Sequence, residues 1–172
     1  MIKIDLKDFE DKLKQSFAIT KKAIDKKMLE SVLKEAVKMI KVRVSQGYGS
    51  DKGKKTRLKE LKPSTVKSRE RKKKKGKLAS GVGPKKSRLT ETGQMIDAIT
   101  YKINNMVGEL FFKRARRGGK ITNEELASLH EYGGTKAGRP PKRPFFSITD
   151  QEKKKLTNIL RREIKNKLKN IT

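Results

Sequence analysis

The sequence predicts an α+β chain in which long N-terminal and C-terminal helices pack a small antiparallel β-sheet, with a long basic excursion between them. Three observations predict it. Apolar residues recur every three or four positions near both ends, as on one face of a helix. Residues 99–104 alternate apolar and polar and the run VGELFF follows across an Asn-Asn pair, the pattern of a strand hairpin. Between these regions, residues 51–88 hold 17 Lys and Arg against three acids (Asp51, Glu60, Glu70), a surplus of +14.

From the N-terminus, MIKIDL alternates Ile2, Ile4 and Leu6 with charged residues and reads as a short strand. Leu6, Phe9, Leu13 and Phe17 then have helical spacing, with Asp5 or Asp8 placed to cap. A longer stripe follows, Ile24, Met28, Val32, Leu33, Ala36, Val37, Ile40 and Val44, and Gln46-Gly47 should end that helix. Gly47 and Gly49 bracket Tyr48 in a turn-prone stretch.

The excursion offers only Leu58, Leu61, Val66, Leu78, Ala79 and Val82 as apolar anchors, too few for a packed unit, so 51–88 is expected to order against a partner. Within it, KPSTVKSRER suggests a short helix with Pro63 early and Ser64 or Thr65 as cap. Leu89, Met95, Ile96 and Ile99 return to helical spacing, with Thr92 as cap. After the hairpin, ARRGGK reads as a loop. Thr122 or Asn123 then caps NEELASLHEY, which stops at Gly133-Gly134. The glycines and prolines of GTKAGRPPKRPFF exclude a helix there. The chain closes with a helix carrying Leu156, Ile159, Leu160, Ile164 and Leu168 on one face. A single domain over 1–172 is expected.

Charge and composition restrict function. The net charge is +28, so a polyanion or an acidic protein surface is the natural partner. Cysteine is absent, which excludes disulfides and thiolate metal sites. The N-terminus lacks the apolar core of a signal peptide and no stretch is apolar enough to span a bilayer, so a soluble, intracellularly made protein without membrane partners is expected. His130 and Glu131 could suggest acid–base chemistry, but neighbours on a helix point about 100° apart and the chain has no second histidine. The glycine pairs lack the strand, loop and Lys-Ser/Thr of a phosphate loop. No catalytic, cofactor or metal role is assigned to any residue. Arg69, Arg71, Lys72, Lys73, Lys74, Lys75 and Lys77 are the candidates for contact with DNA or an acidic partner. No aromatic lies in 51–88 to stack on bases, so such contact would follow the phosphate backbone. RPPKRPFF admits two readings, a polyproline II ligand for a separate module or a clamp in which Phe145 and Phe146 anchor the last helix; the second is favoured because a helix follows at once.

The order of segments RLTETGQM (Leu89 to Met95), LASLHEYG (Leu126 to Gly133) and RPFF (Arg143 to Phe146) resembles the tail-completion or neck proteins of tailed bacteriophages, the phage virion morphogenesis family. The length and charge of 51–88 and the doubled glycine before Thr135 depart from that family's pattern. The resemblance implies a virion structural protein at the head–tail junction, assembled in the host bacterial cytoplasm. It implies a homo-oligomeric ring, sixfold, joining the connector or adaptor to the tail-tube or tail-terminator proteins around double-stranded DNA, with no cofactor. It also implies that Leu89, Gly93, Met95, His130, Glu131, Tyr132, Gly133, Arg139, Arg143, Pro144, Phe145 and Phe146 meet a neighbouring subunit or the tail. The rival expectation is a free, nonspecific nucleic-acid-binding protein; an enzyme ranks below both.

Overall fold

A computed structural model describes residues 24–77, 89, 93–113, 121–134 and 140–169. The expected N-terminal strand and first helix, the Thr92 cap, the ARRGGK loop, Arg139, the anchors Leu78, Ala79 and Val82, and the side chain of Leu168 all fall outside them.

The central element is helix α1, Lys26–Ser45. Asp25 caps it by accepting from Met28 N at 2.9 Å, satisfying one of the amide hydrogens left over at any helix start. Its stripe buries Met28, Val32, Leu33, Ala36, Ile40 and Val44, and the helix ends at Gln46 and Gly47 as expected. One residue breaks the pattern: Arg43 lies within the stripe and is buried with it.

Directly after α1, the Gly-Tyr-Gly stretch does not turn but extends. Strand β1 (Tyr48–Asp51) pairs antiparallel with β2 (Lys54–Arg57), the ends facing as Asp51 opposite Lys54. Lys52 and Gly53 both have positive φ, 48° and 78°, the mark of a two-residue primed turn whose twist suits a hairpin. Lys-Gly is not the usual Asn-Gly signature, and the strands hold few apolar residues, so the hairpin was hidden in the sequence. The start of the basic excursion is therefore a strand pair, and its first anchor, Leu58, is 3% exposed in the core. Helix α2, Pro63–Lys74, follows with Pro63 in the first turn; the cap position is Lys62, without a side-chain bond, rather than Ser64 or Thr65.

Residues Gln94–Asp97 form a single turn, α3, behind Gly93. The helical spacing extending to Ile99 is cut short because Ile99 opens strand β3 (Ile99–Asn104), paired antiparallel with β4 (Val107–Phe112). The turn lies one residue later than the Asn-Asn pair predicts: Asn105 and Met106 take the positive φ values, 46° and 64°. The two hairpins stay separate two-stranded sheets. Helix α4, Asn123–Tyr132, starts at Thr122 in a reciprocal capping box with Glu125. Helix α5, Asp150–Lys169, starts in a second such box, Glu152 N donating to Thr149 Oγ1 and Thr149 N to the Glu152 carboxylate.

The helices α1 and α5 run antiparallel, held at one end by Lys167 Nζ and Asp25 3.1 Å apart and at the other by Arg43 and Glu152. One core joins all these elements, with Leu33, Ile40, Phe145, Phe146, Leu156 and Leu160 fully buried. The result is α+β, with helices near both ends and small antiparallel pairs between.

Candidate polyanion and assembly surfaces

Helix α2 carries the basic block. Its last turn is Arg71, Lys72, Lys73 and Lys74, cations at the partially negative end of a helix, where they are favoured. The helix closes on Gly76 at φ 64°, with Gly76 N donating to Lys73 O at 3.0 Å and Lys77 N to Lys72 O at 2.8 Å, the double bond of a Schellman motif. Local bonds therefore shape the block. Arg71 through Lys75, and Lys77, are exposed; Arg69 turns inward and is 4% exposed, so it does not belong to the outer cationic face. The hairpin adds exposed cations that sequence inspection left out, Lys52, Lys54, Lys55 and Arg57, with Lys55 Nζ 4.3 Å over the Tyr48 ring.

The other candidate residues are mostly internal. Phe145 and Phe146 pack on Phe112, with ring centroids 6.2 and 4.6 Å away. Leu89, Met95 and Arg143 are also buried. Gly93, which the resemblance implies meets a neighbouring subunit, is the buried left-handed residue before α3. Glu131 is the clasp between α4 and the Arg-Pro-Phe-Phe segment: one carboxylate oxygen accepts from Phe145 N at 2.8 Å and Phe146 N at 3.1 Å. The His130 carbonyl accepts from Arg143 N at 2.7 Å. Arg143 in turn donates to the carbonyls of Lys59 and Glu60, both at 3.0 Å. At Gly133, φ is 78° and an added Cβ would press on the Lys142 backbone, so the chain can leave α4 here only with glycine. Pro144 offers its carbonyl to Ser50 N at 3.0 Å, and a Cβ at Gly49 would collide with that same oxygen. Of the segment His130 to Gly133, Tyr132 alone is well exposed, at 66%.

A buried polar network lies under this clasp. Arg43 Nη2 donates to Phe145 O at 2.9 Å and Ser147 O at 2.7 Å, while Nη1 lies 3.3 Å from Glu152. Burial pushes the Arg43 guanidinium below its ordinary pKa, opposed by the charges of Glu152 and Glu131. Arg43 and Glu152 were not singled out from the sequence; an arginine inside an apolar stripe was the available signal. Among the described residues no group of three or more His, Asp or Glu could hold a metal ion, and no helix is long and apolar enough to cross a membrane.

No family model, curated protein or solved structure matches the chain.

Proposed function

We propose that the chain is a structural component of a bacteriophage neck: copies assemble as a ring at the head–tail junction, join the connector to the tail tube, and turn the basic face of α2 toward the DNA path or an acidic partner. The observation that carries this reading is the motif order. The segments Leu89–Met95, Leu126–Gly133 and Arg143–Phe146 stand in the order of the family the sequence resembles, and their buried members Leu89, Met95, Ala127, Phe145 and Phe146 share one core. The exposed cations of α2 and of the β1–β2 hairpin supply the charge such a position calls for.

Imaging of assembled particles tests the reading: density for this chain as a ring where head meets tail supports it. Particles complete without the chain, or a monomer that holds DNA and never assembles, would favour the stand-alone nucleic-acid-binding protein that the same cations equally suit.

A further inference from the structure

Between the C-terminal half of α1, strand β2 and the first turn of α5 lies a cleft of about 420 Å³, which shares Lys55 with the hairpin's cations and has Arg43 and Glu152 at its base. Its apolar part is Met39, partly buried, and Val42, 47% exposed. Around these stand four cations, Lys38, Arg43, Lys55 and Lys155, against two carboxylates, Glu35 and Glu152. Both acids are already engaged inside the subunit. Glu35 lies 3.6 Å from Lys38, and Glu152 serves the α5 cap and faces Arg43. Arg43 is itself met by Glu152 at 3.3 Å, so the surplus positive charge of the cleft is that of Lys55 and Lys155.

A cleft with surplus positive charge beside an apolar patch suits a peptide that alternates carboxylates with apolar side chains. A bare phosphate would leave Met39 and Val42 uncovered and would lie close to two carboxylates. The chain itself contains a peptide of the required kind. Residues 5–11 read DLKDFED, four acids in seven residues with Leu6 and Phe9 among them, the most acidic stretch of a chain whose net charge is +28. Helix α2 offers that peptide cations, but its exposed basic turn presents no apolar side chain beside them.

We propose that this cleft receives the Asp5–Asp11 segment of a second copy of the chain, with Phe9 against Met39 and Val42 and the acids beside Lys55 and Lys155. The inference rests on the self-assembly proposed above and supplies one of its contacts. A second copy is taken as the donor because the self-assembly proposed above needs contacts between copies. A chain's own segment, with Phe9 sixteen residues ahead of Asp25, is long enough to span the roughly 26 Å of helix from Asp25 to Val42, and the tagged-copy experiment below separates the two.

Because the protein has no cysteine, introduced thiols report only their own meeting. Full-length Phe9→Cys and Val42→Cys copies with different tags, co-expressed and mildly oxidised, are expected to form an intermolecular disulfide. Phe9→Cys with Met106→Cys, at the hairpin tip toward the other end of α1, should give only background. Adding Lys55→Glu and Lys155→Glu to the Val42→Cys copy should lower the yield at least about tenfold, with circular dichroism checking that the fold survives. Yield no higher than the Met106 control overturns the inference. So does a Phe9→Cys/Val42→Cys double variant that closes only within its own chain when mixed with untagged protein. Rings that form without the bridge sink this contact and leave the neck reading standing; bridged dimers that build no ring do the reverse.

Discussion

A single oxygen of Glu131 accepts from two adjacent backbone N–H groups, those of Phe145 and Phe146, and so ties α4 to the segment that leads into α5. Removing the carboxylate strands both donors beside buried rings, and hydrogen bonds to a charged group contribute about 1.5–3 kcal/mol. Glu131→Ala is therefore expected to destabilise the fold by about 2–4 kcal/mol, while Glu131→Gln, which keeps an acceptor oxygen, should lose less; urea unfolding of the two variants measures the difference. Its neighbour in the network behaves differently. Arg43→Met removes a buried cation but leaves Glu152 with its own cap to serve, so the loss should be smaller than the several kcal/mol typical of breaking a buried pair that leaves a charge with no other partner.

At the scale of an element, α1 begins on Asp25, whose carboxyl is held below its ordinary pKa first by the Met28 backbone N–H and then by Lys167. A folded-state pKa below the unfolded one gives stability that is present above the unfolded value and is lost as pH falls through the folded one. Asp25→Ala should cost about 1 kcal/mol near neutral pH, and the gap between variant and parent should close on acidification below about pH 4; paired thermal melts at the two pH values check this. Glu125 follows the same sign at the start of α4, lowered by the Thr122 backbone N–H and then by its hydroxyl. Helix α2 invites a binding test rather than a stability test. Each phosphate neutralised adds about 0.9 to the slope of log affinity against log salt. Replacing Arg71, Lys72, Lys73, Lys74 and Lys75 with Gln should thus flatten the slope of duplex DNA retention against salt by up to about 4.5. Retention unchanged by that substitution would mean the block grips protein instead.

Over the whole molecule, a net charge of +28 opposes compaction, and screening should relieve it. Raising ionic strength from about 0.01 M to about 0.15 M shortens the Debye length from about 30 Å to about 8 Å. The melting temperature should therefore rise with salt, the opposite of a fold held by surface ion pairs; calorimetry across a salt series decides it. The elements that sequence reading recovered best are those whose signal is local. The long stripe of α1, the Thr122 cap, the Gly133 stop and the apolar face of α5 each depend on residues a few positions apart. The β1–β2 hairpin was missed because half its residues are lysine or glycine and few are apolar, and its place comes from contacts with distant backbone such as Ser50 N to Pro144 O.

By itself, the sequence determined where α1 and α4 stop and that Thr122 begins α4, that one hairpin stands between the helices, and that half of the excess charge lies in 51–88, since capping, periodicity and charge are properties of neighbours along the chain. Only the tertiary structure decided that Arg69, Arg43 and Arg143 turn inward, and that the His-Glu-Tyr-Gly and Arg-Pro-Phe-Phe segments clasp each other inside the subunit. Whether an arginine or a phenylalanine faces water depends on which carbonyls and rings the fold brings alongside, and those partners lie as far as 104 residues away in the chain.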